Sequence, residues 1–505
     1  MPRYDGRGTP EAPYLYKRPV RFDEFAQRVR RYRPSQLLPA IARLAIEMED
    51  IDRYMREMYR VVTPWALATA AKVSIAAGNE HRPSSTITDD DVMKICAAFT
   101  AVNEPLHEPE ALNGDPASFF IRVANEQFAW QVRPAPEVSR THALYVDGLP
   151  DTATTMIDAA LLEDLLGCSV AHYIGAGFLL WAAARSNGGW YEPRFLRGPE
   201  AQEIFDIVPE EVIELVLTEH FATTFDEFRN ELADPRHAVP PRFERHQYNP
   251  LVARPFIQMA PDRWLAPQPT LIVRKLGPDA IYYAGGARYG NAFTDDVGLL
   301  LETYVRRQLA QIPDAQIIDE IDYDNSQRSV DFFIVWPELV VLVEVKSARL
   351  TQGARIGLAD LEVKLQSAIG KAFSQIKRSS DLIQAGHPAF SAIPTDRPHV
   401  ALFVTLESYW VGNSKMVRRL VDTPEPMPTS VVTLRELEHL IALSLDGGGA
   451  ALLSEVLADD ELKTWGLLSA LRNKRPNDDA TNPLLDAVWD GLPWSDPPMS
   501  AATES

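Results

Sequence analysis

Apolar residues recur every three or four positions through much of the first half of the chain. The stretch LLPAIARLAIEMEDIDRYMREMYRV (residues 37–61) is one example, and TITDDDVMKICAAFTAV (86–102) begins with residues typical of a helix N-terminus. This spacing predicts a helical domain over residues 36–235. The segment before it, residues 1–35, is rich in Pro, Arg and Tyr without clear periodicity, which predicts an extended arm.

The pattern changes after a Pro-rich break at residues 234–255. Short strand-like pieces, TLIVRKL and AIYYAGG, predict a linker with short strands over residues 236–292. The next segment, 293–445, combines predicted helices with apolar strand-like runs and reads as an α/β domain. A C-terminal helix (446–474) and a disordered acidic tail (475–505) complete the prediction.

Within the α/β segment, helices are predicted over residues 295–309 and 359–379, and a buried strand over HVALFVTLE (399–407). Thr433 and Glu436 have the spacing of a capping box at the start of a further helix. The fold class expected is therefore multidomain, with a mainly α-helical N-terminal half and an α/β C-terminal domain.

Composition restricts the setting and the partners. The chain has 505 residues, 46% of them hydrophobic, and only Cys96 and Cys168 as cysteines, so no disulfide framework is expected and a cytoplasmic location is predicted. Its longest apolar helical run (173–184) is too short to cross a bilayer, so no membrane partner is expected. The net charge of −20 gives no global attraction for nucleic acid, so such a role must come from a local site.

One apolar stretch places charged residues where a sheet core is expected. Residues 330–348 read VDFFIVWPELVVLVEVKSA, which predicts two antiparallel strands joined around Pro337 and Glu338. A symmetric loop that pairs Trp336 with Leu339 also pairs Asp331 with Glu344. Directly paired residues point to the same face of a sheet, and Lys346, two residues beyond Glu344, shares that face.

Two facing carboxylates among apolar neighbours repel each other, and one of them must stay protonated. A divalent cation between them removes the repulsion, and oxygen ligands with room for water and phosphate suit Mg²⁺, for which Mn²⁺ can substitute. The alternative is a surface hairpin with a solvated Glu344 and Lys346. The wholly apolar run 340–343 favours a strand buried on both faces instead.

The Asp, the apolar hairpin and the Glu-x-Lys together resemble the core motif of the PD-(D/E)xK nuclease superfamily, which has the restriction-endonuclease-like fold. This chain has Ser329-Val330-Asp331 in place of the usual Pro-Asp. The resemblance covers only residues 295–407. It implies that Asp331 and Glu344 bind the metal, with the Val345 carbonyl as a further ligand, and that Lys346 is the catalytic lysine.

Two flanking residues extend this resemblance. The family often carries a Glu on the helix before the first core strand, which corresponds to Glu302, and a Gln on the helix after Glu-x-Lys, which corresponds to Gln375. The resemblance implies that Gln375 orients water or phosphate and that Glu302 supports the metal site indirectly. Either residue alone could equally be an ordinary helix surface residue.

The helix after the hairpin carries two stripes at helical spacing. One is apolar, and the second contains Lys364, Lys371, Gln375 and Arg378. Residues 341–380 hold seven basic residues against three acidic ones, a local reversal of the overall charge. We therefore expect Lys364, Lys371 and Arg378 to contact nucleic acid, although a solvated helix face is the simpler alternative.

These patterns together predict a cytoplasmic Mg²⁺-dependent nuclease, either an endonuclease or an exonuclease, with DNA as the expected substrate. Restriction, antiphage defence and repair all fit. The helical half is expected to serve recognition, regulation or assembly, through a homo-oligomer or a protein partner. Two alternatives remain open: a non-catalytic nucleic-acid-binding module of the same fold, and a helical scaffold whose hairpin is purely structural.

Overall fold

The computed structural model describes residues 18–49, 61–84, 86–104, 115–198, 201–476 and 480–494. The chain divides into two compact units, each built from several segments. The first comprises Met1–Pro105, Ala129–Glu137 and Leu166–Ala280, and the second Leu106–Phe128, Val138–Leu165 and Ile281–Ser505. This division differs from the predicted boundary at residue 235, because segments 106–128 and 138–165 of the predicted helical domain belong to the second unit. Local periodicity identifies helices but not the distant chain on which they pack.

The first unit is mainly helical. Its helices are Phe22–Val29, Pro34–Glu47, Pro64–Ala77, Asp89–Thr100, Val170–Ser186, Ala201–Ile207, Glu210–Leu215, Phe225–Leu232 and Thr270–Lys275. Helix starts follow local chemistry. The Thr88 hydroxyl accepts a hydrogen bond from the Asp91 N–H, and the Asp91 carboxylate accepts one from the Thr88 N–H, a capping box that supports the predicted helix there.

A small sheet accompanies these helices. Its strands are β1 (Trp190–Tyr191), β2 (Ala222–Thr223), β3 (Phe256–Ala260) and β4 (Arg263–Leu265), in the order β1-β4-β3-β2. Strands β3 and β4 pair antiparallel, and β2 pairs with β3 in parallel.

Two predictions for this part of the chain are wrong. The predicted extended arm is helical at Phe22–Val29, where Phe25 and Val29 are buried, because FDEFAQRV is amphipathic at helical spacing. Residues 1–17 of that arm lie outside the described residues. The strand-like pieces TLIVRKL and AIYYAGG lie in the helices Thr270–Lys275 and Pro278–Tyr289. Short apolar runs do not distinguish a strand from a buried helix, and Pro278 favours a helix start.

The second unit contains the remaining strands. They are β5 (Gln316–Asp319), β6 (Asp322–Tyr323), β7 (Gln327–Arg328), β8 (Phe332–Val335), β9 (Val340–Lys346), β10 (His399–Thr405) and β11 (Thr429–Thr433). Five of them form a mixed sheet in the order β11-β10-β9-β8-β5. Strands β5, β8 and β9 pair antiparallel, and β9, β10 and β11 pair in parallel.

Helices cover this sheet and connect its parallel strands. They are Pro116–Gln127, Asn291–Leu309, Gln352–Arg355, Leu361–Leu365, Lys371–Gln384, Lys415–Arg418, Leu434–Ser444, Gly449–Ala458, Leu467–Lys474 and Pro483–Asp490. Helices Pro134–His142, Ala159–Leu166 and Pro278–Tyr289 contain residues of both units. Parallel neighbours need a long crossover, and here Leu361–Leu365, a π-helical turn at 366–370 and Lys371–Gln384 supply it between β9 and β10.

Several predictions for the second unit are confirmed. The predicted helices at 295–309 and 359–379 and the strand at 399–407 are present, and Thr433 and Glu436 form the capping box. The predicted C-terminal helix at 446–474 is instead two helices, Gly449–Ala458 and Leu467–Lys474.

The predicted disordered tail is wrong for its described part. Residues 480–494 include the helix Pro483–Asp490, and the buried Asn482 side chain donates hydrogen bonds to Gln308 Oε1 at 2.8 Å and to the Glu438 carbonyl at 3.1 Å. Polar composition does not reveal such a single buried anchor. Residues 477–479 and 495–505 of the predicted tail lie outside the described residues.

One helical stretch among the described residues, Ala159–Ser186, is long and apolar enough by length and composition to span a membrane. Half of its most apolar window is buried inside the structure. Gly167, with a φ of +73°, interrupts the stretch between the helices Ala159–Leu166 and Val170–Ser186.

A buried ion pair joins distant segments of the second unit. Arg140 donates two hydrogen bonds of 2.6 Å to the Glu438 carboxylate, and the Tyr304 hydroxyl donates a third of 2.6 Å. The two charged side chains are 4% and 5% exposed. Because both charges have left water, breaking the pair from one side leaves the other charge uncompensated in the interior.

We therefore expect Glu438→Gln to lower the free energy of unfolding by about 3 kcal/mol, measured by denaturant unfolding of purified protein. Asp460→Asn, which removes the exposed partner of Lys463, is the matched control and should leave the unfolding midpoint nearly unchanged. Equal midpoints for the two variants would contradict this assignment.

Candidate functional site

The β8–β9 hairpin sets the geometry of the candidate site. Phe332 pairs with Val343 and Val335 with Val340, and the Trp336 N–H donates to the Leu339 carbonyl at 2.9 Å across the turn. This is the predicted register, which is therefore confirmed. Continued by one position, it places Asp331 beside Glu344, on the face that they share with Lys346.

Asp331 holds its position through a hydrogen bond to the neighbouring strand. Its Oδ2 accepts a hydrogen bond of 2.6 Å from the Val345 N–H, and the residue is 8% exposed. Burial raises the pKa of this carboxyl, and the nearby Lys346 opposes that rise. Asp331 is thus fixed next to the backbone of the Glu-x-Lys strand.

Glu344 is the most deeply buried acid of the site. Its side chain is fully buried, and neither carboxylate oxygen accepts a well-formed hydrogen bond from the described residues. Among the residues that the structure describes, its charged contact is Lys346, whose Nζ lies 2.6 Å from Oε1. Burial, together with the neighbouring Asp331, raises the pKa of Glu344 to about 8, against the opposing effect of Lys346.

Lys346 remains a cation in this setting. Burial alone lowers the pKa of its ammonium group, but Glu344 and Asp331 more than offset this and hold it above its usual value. The side chain is 40% exposed, so Lys346 contacts both the buried Glu344 and solvent.

Glu302 lies on the Asn291–Leu309 helix and is electrostatically coupled to the hairpin acids. Burial raises its pKa to about 7, and the repulsion of Asp331 adds to the rise. The predicted association of Glu302 with the site is thus consistent with its electrostatics. Its indirect role toward a metal stays a prediction.

Glu320 was missed in the sequence analysis. It directly follows Asp319, which pairs with Phe332, so it lies near Asp331 at the end of the β5–β8 pair. Burial raises its pKa, and its carboxylate forms an ion pair of 3.2 Å with Arg328. The register arithmetic used for Glu344 would have located it, had the weakly apolar β5 been recognised as a strand.

Gln375 forms a hydrogen bond with the backbone just before Asp331. Its Nε2 donates a hydrogen bond of 2.8 Å to the Ser329 carbonyl, and Ser379 on the same helix accepts one of 3.0 Å from the Val330 N–H. The Lys371–Gln384 helix therefore fixes the start of the strand that carries Asp331. The predicted role of Gln375 toward water or phosphate stays a prediction.

The helical crossover between β9 and β10 buries its apolar residues and leaves its basic residues at the surface, as predicted. The predicted apolar stripe is buried throughout, at Leu361, Leu365, Ala368, Ile369, Ala372 and Ile376. Lys371 and Arg378 are exposed and Lys364 is half-buried, and none of the three forms an ion pair with a described residue. Their positive charge is available to a polyanion.

The residues present fit a single Mg²⁺ held by few protein ligands. Among the described residues, no group of three or more His, Cys, Asp or Glu side chains is arranged as a metal site. Mg²⁺, however, is commonly bound through one or two carboxylates together with water and substrate phosphate. Asp331 and Glu344 would supply those carboxylates, and the buried Glu344 oxygens, whose charged contact among the described residues is Lys346, would gain a ligand in such an ion. The Val345 carbonyl stays a predicted ligand.

Comparisons with protein-family models, with curated proteins and with solved structures find no match to this chain.

In metal-free protein, the raised pKa of Glu344 should make stability depend on pH. The folded state keeps the proton up to about pH 8, whereas the unfolded chain loses it near the ordinary value of 4.5. The unfolded state therefore binds fewer protons in this window, and stability decreases as pH rises, by up to about 3 kcal/mol between pH 5.5 and 8.

Thermal unfolding in EDTA across that range measures the effect. We expect a smaller decrease for Glu344→Gln, which cannot ionise, and an unaltered decrease for Glu362→Gln, which changes an exposed acid of the same unit. The same pH slope in all three proteins would show that Glu344 is not the group responsible.

Proposed function

We propose that this protein is a Mg²⁺-dependent nuclease that hydrolyses phosphodiester bonds, with DNA as its substrate. The observation that carries the proposal is the burial of Glu344 beside other charged side chains. A fully buried acid that lies close to a second buried acid, with Lys346 as the cation beside both, is electrostatically unfavourable in its ionised form unless a further cation joins it. Mn²⁺ should substitute for Mg²⁺, since both suit oxygen ligands.

Each residue has a distinct task in this proposal. Asp331 and Glu344 would hold the ion, which would supply Lewis-acid activation of water and partial neutralisation of the phosphate charge. Lys346, a cation with one side exposed, donates to the attacking water or to a phosphate oxygen. Gln375 holds the Ser329 carbonyl and so keeps Asp331 in place. Glu302, with a pKa of about 7, can hold or release a proton near neutral pH.

The arrangement of elements supports a restriction-endonuclease-like domain of the PD-(D/E)xK kind in the C-terminal half. Glu302 lies on the helix before the first sheet strand, Asp331 and Glu-x-Lys lie on an antiparallel pair, and Gln375 lies on the helix that follows. This is the order that the resemblance implies. Restriction, antiphage defence or repair in the cytoplasm are settings consistent with it, with the first unit serving recognition, regulation or assembly.

The most direct test is cleavage of supercoiled, linear and single-stranded DNA with Mg²⁺, with Mn²⁺ and with EDTA. We expect metal-dependent cutting that decreases by at least about 100-fold in Lys346→Ala, because transition-state charge then loses its ammonium partner. Asp331→Asn and Glu344→Gln should lose activity through loss of the ion. Lys463→Ala, a change of an exposed lysine in the same unit, is the matched control.

Three outcomes would count against the proposal or its site. Cutting that survives Lys346→Ala would contradict the site assignment. Metal-independent binding without cutting would favour a non-catalytic nucleic-acid-binding module. Neither binding nor cutting, with the helical part still able to bind a protein partner, would favour a scaffold with a structural hairpin.

Substrate contact by the exposed helix face gives a separate expectation. Lys371→Gln and Arg378→Gln should each weaken DNA binding regardless of sequence, and each should reduce the slope of log affinity against log salt concentration by about 1, because one phosphate contact is lost. Fluorescence anisotropy over a salt series measures both quantities. Unchanged slopes would show that this face is merely solvated.

A further inference from the structure

Arg349 is a preorganised cation three residues after Lys346. Its guanidinium carbon lies 5.7 Å from the ring centroid of Tyr282 and 5.8 Å from that of Tyr283. The side chain is exposed, and it forms no ion pair or hydrogen bond with a described residue. Contact with two aromatic rings restricts the side chain without using its N–H donors.

The aromatic support is itself fixed by hydrogen bonds. The Tyr282 hydroxyl donates to the Ser347 carbonyl at 3.0 Å, which holds the segment leaving the Glu-x-Lys strand. The Tyr283 hydroxyl donates to Glu407 Oε2 at 2.9 Å. Both rings therefore hold their positions before any ligand arrives, and the guanidinium position follows from theirs.

Glu407, the acid that accepts the hydrogen bond from Tyr283, has further partners in this cluster. Glu407 forms an ion pair with Arg355 and also accepts a hydrogen bond of 3.0 Å from the Leu350 N–H. Arg355 is thus neutralised, whereas Arg349 is not. In this cluster Arg355 is paired with Glu407, and the exposed Arg349 has no charged partner among the described residues.

The free donors of Arg349 suit a phosphate. A guanidinium group presents a planar fork of N–H donors that matches two oxygens of a phosphodiester. Three residues of extended chain span at most about 10 Å, so the backbone positions of Lys346 and Arg349 are close enough for both side chains to contact one nucleic-acid strand. A strand cleaved beside Lys346 would therefore place a neighbouring phosphate within reach of Arg349.

We propose that Arg349 binds a backbone phosphate of the substrate next to the scissile one and so positions the strand for cleavage. This inference rests on the proposed nuclease function. It assigns Arg349 to substrate positioning and leaves the chemical step to the acids and Lys346. Tyr282 and Tyr283 would hold the guanidinium group in place for this contact.

Steady-state cleavage of a short DNA duplex with Mg²⁺ tests the inference in the full-length protein. We expect Arg349→Gln to raise KM about 10-fold with kcat changed by less than about twofold, and to reduce the salt slope of binding by about 1. Arg349→Lys, which keeps the charge but not the fork, should lie between wild type and Arg349→Gln. Arg472→Gln, an exposed arginine on the Leu467–Lys474 helix, is the control and should behave as wild type.

The failures of the two proposals are distinguishable. If wild type cuts DNA and Arg349→Gln matches it in KM and salt slope, the positioning role is wrong and the nuclease proposal stands. A variant that loses kcat with KM unchanged also overturns the positioning role. If wild type neither cuts nor binds DNA under any metal condition, the nuclease proposal fails and this inference fails with it. Thermal unfolding of each variant, expected to match wild type, separates these results from misfolding.

Discussion

Placing the Glu344 carboxylate inside a sheet core imposes an electrostatic demand that the rest of the site must meet. An ionised carboxylate away from water costs several kcal/mol unless it is paired and hydrogen-bonded. Lys346 provides one charge at 2.6 Å, while Asp331 adds a second acid to the same small volume. Burial and repulsion favour a protonated Glu344, and Lys346 favours an ionised one. In the proposed nuclease, a bound divalent cation would resolve this conflict in favour of ionisation.

The contacts around Glu344 prevent the two acids from moving apart to reduce their repulsion. The hairpin register places Asp331 beside it, and the Val345 N–H holds Asp331 there. Gln375 and Ser379 fix the preceding residues from the crossover helix, while β10 pairs with the whole of β9 on its other side. The acids are therefore held in fixed positions by the surrounding backbone and helix, which is the preorganisation that the proposed metal site would need.

Sequence patterns predicted the hairpin well because its register depends on local arithmetic. Asp331, Glu344 and Lys346 followed from alternation and a symmetric loop, and the apolar stripe of the next helix followed from helical spacing. The long-range features were not accessible in this way. Nothing local shows that residues 138–165 join the second unit through Arg140 and Glu438, or that Asn482 anchors a polar tail. Helix and strand were confused at TLIVRKL and AIYYAGG because short apolar runs fit both.

The central claim is that the buried acids exist to hold one divalent cation, and direct ion binding tests it without assuming a substrate. Titration of the metal-free protein with Mn²⁺, followed by electron paramagnetic resonance, should show one bound ion per chain that Mg²⁺ displaces. Glu344→Gln should abolish that ion, and Glu362→Gln should retain it. Equal Mn²⁺ binding by wild type and Glu344→Gln, or none by wild type, would contradict the account.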